Sequence, residues 1–90
     1  MNIEDAVAQF PFLPIIGVGI MVLALLHIMI LYNNPDNNSM LLFTAVILCF
    51  MHIVQAVAFF QMPNYSFVGT AVFNSIMACL WFGIAMARYR

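Results

Sequence analysis

Two histidines and two amides are the side chains most able to do chemistry within the long apolar stretches of this sequence. His27 and His52 lie inside long hydrophobic stretches, as do Gln55 and Asn74. In such surroundings an imidazole can hydrogen-bond to a neighbouring helix, ligate the metal of a macrocycle, or move protons. Which of these roles applies depends on the elements that position each ring.

The composition determines the class of protein. The chain has 90 residues, of which 67% are hydrophobic and 6% are charged, and its mean hydropathy is +1.10. Soluble domains carry about 25% charged residues. A net charge of -1 provides no basic patch for nucleic acid. The sequence therefore predicts an integral membrane protein whose first partner is the lipid bilayer.

The uncharged stretches determine the number of crossings. Residues 37–87 carry no charge, and they are too many for one crossing because about 20 helical residues span the bilayer core. We predict an all-α fold in one domain over residues 1–90. Its three transmembrane helices are expected at about residues 12–32, 40–61 and 66–87, and a short interfacial helix precedes them.

Turn and charge signals set the connections and the orientation. The Asn-rich segment 33–39 predicts a turn, with Ser39 as the expected cap of the second helix and Ser66 as that of the third. Arg88 and Arg90 favour a cytoplasmic C-terminus, which places the N-terminus outside. The expected location is a bacterial or organellar inner membrane.

Small residues mark the faces on which membrane helices meet. On the third helix two patterns occur. One is a heptad seam of Ala71, Asn74, Ala78, Trp81 and Ala85, and the other is a four-residue stripe of Ala71, Ser75, Cys79, Gly83 and Ala87. Two contact faces predict a further neighbour, either another subunit or a second copy, although small residues are also simply common in membrane helices. The predicted packing residues are Gly17, Ala24, Ala45, Cys49, Ala56, Ala71, Ser75, Ala78, Cys79 and Gly83.

Counting residues from the turns gives the depth of each polar side chain. His52 and Asn74 both lie about 13 Å from the turn at 62–65, so they can share a hydrogen bond. Gln55 is level with Thr70 and is expected to bond to it. His27 differs from His52 by about 10 Å in depth, which makes the two a poor axial pair for one haem.

The histidines keep several possible roles at this stage. For His52 these are the structural bond to Asn74, a contact to a (bacterio)chlorophyll, haem or quinone, and a proton or solute path. His27, nearer the cytoplasmic interface, favours a structural or interfacial role, with the same cofactors as the alternative. No metal-ligand cluster, phosphate loop or nucleophile elbow is present in the sequence. The leading expectation is a non-catalytic accessory subunit of a respiratory, photosynthetic or monooxygenase complex.

Two families resemble the chain in its general plan. Three spans within about 90 residues, with the N-terminus outside, resemble class I phage holins, and this resemblance implies pore formation and lysis. The basic tail of those proteins corresponds here to Arg88 and Arg90. Bacterial semiSWEET sugar transporters also have three spans, with an asparagine in the third that resembles Asn74, and this implies a dimeric transporter. Their proline-glutamine pair late in the first span is missing, because Pro11 and Pro14 lie at its start.

Overall fold

Three long antiparallel helices and one short N-terminal helix form the chain. The computed structural model describes residues 3–62 and 67–89, and no strand occurs within these ranges. Each of the three long helices is long and apolar enough to cross a membrane, so the predicted all-α, three-span fold is confirmed. The expected cap at Ser66 and the terminal Arg90 lie outside the described residues. The helices are α1 (Ile3–Gln9), α2 (Leu13–Asn33), α3 (Asn38–Phe60) and α4 (Val68–Tyr89).

The helix starts follow local capping chemistry. Pro14 lies in the first turn of α2, where a missing N–H costs no helical hydrogen bond. The start of α3 lies two residues before the predicted position because Asn37 caps it: its Oδ1 accepts from the Met40 N–H at 3.4 Å. Ser39 lies inside the helix, so the prediction of a Ser39 cap is wrong.

The end of α4 is tied to the turn between α2 and α3. Arg88 Nη1 donates to the Pro35 carbonyl at 3.1 Å and to Asn38 Oδ1 at 3.0 Å. A guanidinium has several donors and no acceptor, so one side chain can bridge two groups of the turn. Arg88 thereby fixes the end of α4 beside the start of α3.

The short helix α1 closes the opposite end of the bundle. Its Ala6 is fully buried, and the Phe10 N–H continues the helical pattern by donating to the Ala6 carbonyl at 2.9 Å. The contacts of Ala6 bring together the start of α2, the end of α3 and the start of α4. The cluster comprises Ala6, Leu13, Ala58, Phe59, Met62 and Ala71.

The interior of the bundle combines small residues and a few polar ones with some large apolar side chains, whereas most of the large apolar side chains lie on its outside. α3 packs most extensively against α4, and α2 packs against α3. The buried residues of α4 are Ala71, Asn74, Ala78, Trp81 and Ala85, all five of them in the predicted heptad seam. Large side chains such as Phe50, Phe73 and Leu80 point outward and are more than half exposed. This distribution is expected where lipid, not water, surrounds the helices.

α2 and α3 approach each other closely at Gly19. A Cβ built on Gly19 would lie 2.6 Å from the methyl carbon of Met51, which is closer than two carbon atoms can pack. The Met51 methyl ends a flexible side chain and can turn away from a single added carbon. A larger side chain would force the two helices apart.

We predict that Gly19→Leu lowers the free energy of unfolding by about 1–3 kcal/mol through overpacking, whereas Gly19→Ala changes it little. Gly69→Leu is the matched control, because a Cβ on Gly69 has no neighbour within 4 Å among the described atoms. Unfolding in mixed micelles, followed by far-ultraviolet circular dichroism, measures all three variants. Equal stability of the two leucine variants would contradict this account of the α2–α3 contact.

Candidate functional site

His52 and Asn74 form a buried hydrogen bond between α3 and α4. The distance from His52 Nδ1 to Asn74 Oδ1 is 2.8 Å, and both residues are at least 95% buried. Asn74 Nδ2 also donates to the Thr70 carbonyl of its own helix at 2.9 Å. The two side chains meet at the level that counting residues predicts.

The bond to Thr70 determines which nitrogen of His52 carries the proton. With Asn74 Nδ2 directed at a carbonyl, Asn74 Oδ1 is the atom facing His52, and an amide oxygen only accepts. His52 Nδ1 must therefore carry the hydrogen. In the neutral ring, Nε2 then has a free lone pair.

The second nitrogen of His52 is buried and unpaired. Within the described part of the chain, His52 Nε2 has no hydrogen-bond partner and almost no accessible surface. The same ring lines a cavity of about 430 Å³ between the helices, which we call the His52 cavity. Its lining residues are Val7, Leu13, Pro14, Gly17, Ile20, His52, Gln55, Phe59, Thr70, Phe73 and Asn74.

Gln55 bonds to α2 and not to Thr70. Its Nε2 donates to the Leu13 carbonyl at 3.4 Å, a long hydrogen bond. Gln55 and Thr70 both line the His52 cavity, as their common depth implies. The structure thus brings the two residues to one wall without the predicted bond between them.

His27 belongs to a separate polar layer that joins all three long helices. Its Nδ1 lies 2.7 Å from Thr44 Oγ1 on α3, and its ring meets Trp81 of α4 edge-on, with centroids 5.0 Å apart and planes at 78°. Thr44 Oγ1 also lies within hydrogen-bond distance of the Met40 and Leu41 carbonyls of its own helix. His27 is therefore held structurally from two sides.

The two histidines lie too far apart to share one cofactor as axial ligands. Thr44, the partner of His27, precedes His52 by eight residues on α3, which is about 12 Å along the helix. A bis-histidine haem needs its two imidazoles on opposite sides of one iron. Within one chain, the arrangement supplies at most a single histidine ligand per site.

The predicted packing residues fall into three groups. Ala45, Ala56, Ala71 and Ala78 are buried, whereas Gly17, Ala24, Cys49 and Ser75 are half-buried. Cys79 and Gly83 are exposed and lie outside the buried contact between α3 and α4. The reason is geometric, because positions four apart drift by about 40° per step around a helix of 3.6 residues per turn.

An apolar groove lies between α3 and α4, and two residues of the four-residue stripe, Ser75 and Cys79, line it. The groove has a volume of about 410 Å³ and shares no lining residue with the His52 cavity. We call it the outer groove. It is lined by Cys49, Ile53, Ala56, Val57, Phe60, Ser75, Ala78, Cys79 and Phe82.

Sequence reasoning missed Thr44 as the partner of His27, although the signal was present. His27 lies six residues before the end of α2, and Thr44 lies six residues after the start of α3. The count that pairs His52 with Asn74 also pairs these two. The Leu13 carbonyl that accepts from Gln55 could not be found this way, because every residue of a helix has a carbonyl.

Comparison with known proteins gives no relative from which a role can be transferred. No protein-family model matches the chain, and neither a curated protein nor a solved structure matches it. Within residues 3–62 and 67–89, no group of three His, Cys, Asp or Glu side chains is placed to hold a metal ion. The role of the site must be argued from its own geometry.

We predict that Asn74→Leu lowers the free energy of unfolding by about 1–3 kcal/mol, because it leaves the His52 Nδ1–H buried without an acceptor. The double variant His52→Phe/Asn74→Leu should lose less than the sum of the single losses, with a coupling of about 0.6 kcal/mol and at most about 1.7 kcal/mol. Ser75→Ala is the control, since the Ser75 hydroxyl donates only to the Ala71 carbonyl of its own helix. Strictly additive losses would contradict an energetic role for the bond.

The tautomer can be measured separately. In ¹⁵N-histidine-labelled protein, the nuclear magnetic resonance spectrum should show a protonated Nδ1 and an unprotonated Nε2 for His52. In Asn74→Leu the preference should weaken, because nothing then selects Nδ1 for the proton. A protonated Nε2 in the unaltered chain would refute the assignment.

Proposed function

We propose that the chain is a non-catalytic accessory subunit of a larger integral-membrane complex, in which the exposed small-residue face of α4, beside the outer groove, receives a transmembrane helix of another subunit. The observation that carries this proposal is the exposed small-residue stripe of α4. Cys79, Gly83 and Ala87 face outward at four-residue spacing, and a Cβ on Gly83 would meet no described atom within 4 Å. Such spacing allows the backbones of two helices to approach closely.

The rest of the chain supports a subunit that stabilises neighbours and carries out no chemistry alone. The three acidic residues of the sequence lie outside the long apolar stretches, so no pair of carboxylates is available there for acid–base catalysis. His52, Asn74 and His27 are engaged within the chain. Respiratory, photosynthetic and monooxygenase assemblies remain the proposed setting, with the C-terminus cytoplasmic because of Arg88 and Arg90.

The engagement of Asn74 also bears on the transporter alternative. A transport path through the third helix would need the amide free to contact a solute, yet Asn74 is 96% buried and bonded through both of its polar atoms.

The holin alternative requires only identical copies of the chain, and the same exposed face of α4 would serve such contacts equally well. The composition of the native complex therefore distinguishes an accessory subunit from a holin.

We predict that the tagged chain, extracted from its native membrane with a mild detergent, elutes in a complex that contains other membrane subunits. Gly83→Leu should reduce their recovery at least about tenfold, because loss of close helix contact worth about 1.4 kcal/mol has that effect. Gly69→Leu should leave recovery unchanged. Native mass spectrometry and an absorption spectrum of the eluate identify the subunits and any pigment or haem that they carry.

Three outcomes would overturn the accessory-subunit proposal. A colourless eluate containing only single copies of the chain would remove the basis for any assembly. A complex of identical copies, together with lysis of the host on induced expression, would favour the holin. Uptake of solute by liposomes containing the chain alone would favour the transporter.

A further inference from the structure

A buried lone pair and a cavity beside it occur together at His52. The ring is 95% buried, its Nδ1 is committed to Asn74, and its Nε2 has no partner among the described residues. A buried polar atom without a hydrogen bond is costly, and such atoms are rare in folded proteins. His52 also lines a cavity, so there is open space beside the residue that carries the unpaired nitrogen.

The walls of the cavity indicate the chemistry of that partner. Ile20, Phe59 and Phe73 supply apolar surface, and Gln55 and Thr70 supply polar groups. A volume of about 430 Å³ lies within the range of about 300–1,000 Å³ that holds small organic ligands. The combination suits an apolar body with one or two polar substituents.

The lone pair on His52 Nε2 requires that the polar substituent of the ligand be a hydrogen-bond donor. Since Nε2 accepts and cannot donate in this tautomer, a carbonyl or ether oxygen gains nothing from it. A hydroxyl group donates one hydrogen and satisfies the buried nitrogen. The ligand therefore carries a hydrogen-bond donor on an apolar frame, and the hydroxyl group is the donor taken here.

The route to the site is from the bilayer. Pro14, Thr70 and Phe73 line the cavity and are also exposed on the outside of the bundle, so the cavity opens toward lipid. Nε2 itself is covered by its neighbours. Gln55 lines the cavity one helical turn from His52. Among the described residues its amide has one hydrogen bond, the 3.4 Å bond to Leu13, so moving this side chain breaks one long hydrogen bond.

We propose that the His52 cavity binds a membrane-soluble hydroxyl compound, either a hydroquinone or an aliphatic alcohol, whose O–H donates to His52 Nε2. Asn74 is a positioning residue for this site because it selects the tautomer that leaves Nε2 free. The proposal does not depend on the outer groove, which is lined by other residues.

The experiment uses the full chain in phosphatidylcholine nanodiscs, since this lipid has no hydroxyl that would compete. The probes are 2-decyl-1,4-hydroquinone, kept reduced, its dimethyl ether, which has the same ring and tail without O–H groups, and dodecanol. Binding is measured from the rise in the thermal unfolding midpoint with probe concentration. The ¹⁵N resonance of His52 Nε2 reports direct contact.

The hydroquinone or dodecanol should raise the midpoint and shift the Nε2 resonance, and whichever does so identifies the source of the hydroxyl. The dimethyl ether should bind at least about tenfold more weakly, as expected for loss of one buried hydrogen bond. Gly17→Leu should abolish binding, because the leucine side chain fills the cavity while His52 is retained. There is room for it at this position, since the nearest described atom to a Cβ on Gly17 is Gln55 Nε2 at 3.6 Å. Gly83→Leu, on the outer face, should bind as the unaltered chain does.

Equal binding of the hydroquinone and its ether would overturn the proposal, as would binding that survives Gly17→Leu or a failure of both hydroxyl probes to shift Nε2. These results are independent of the accessory-subunit test. Gly17→Leu should still recover the partner subunits, and Gly83→Leu should still bind the probe.

Discussion

The hydrogen bond between His52 and Asn74 sets the register of α3 against α4, and the remaining contacts follow from that register. Lipid provides no hydrophobic drive for helix association, so helices in a bilayer are held by close packing and by polar pairs. Alanines on both sides of the pair allow the two backbones to approach. A slip of one residue along either helix would move the amide about 1.5 Å from the ring and rotate it by about 100°.

Once α3 and α4 are in register, α2 is placed by two weaker attachments at different depths. Gln55 bonds to the first residue of α2, and Thr44 and Trp81 contact His27 nearer its other end. Gly19 lies between these layers and permits the close approach to Met51. Each histidine thus connects helices at its own level, which is why the two rings are not brought together.

The sequence predicted those features that depend on length and periodicity. Uncharged stretches gave the number of helices, and the heptad rhythm gave the complete buried face of α4. Depth counting placed His52 beside Asn74. It failed for Gln55 because the actual acceptor is a backbone carbonyl, which leaves no trace in side-chain patterns. The α3 cap was misplaced because Asn37 and Ser39 are both good caps, and only the path of the turn decides between them.

The choice of histidine at position 52 is itself informative about function. A hydrogen bond to Asn74 Oδ1 needs one donor at position 52, and the side chain of an amide residue or of tryptophan would supply it. Imidazole adds a second nitrogen, which here is buried as an unpaired acceptor. The Nε1 of Trp81 is also buried and unpaired in the described part of the chain. It is a donor and not an acceptor, and Trp81 lines neither the outer groove nor the His52 cavity. Within the described residues, an unpaired acceptor and a cavity coincide at His52. A hydroxyl that donates to Nε2 would offset the cost of the unpaired acceptor, about 1–3 kcal/mol.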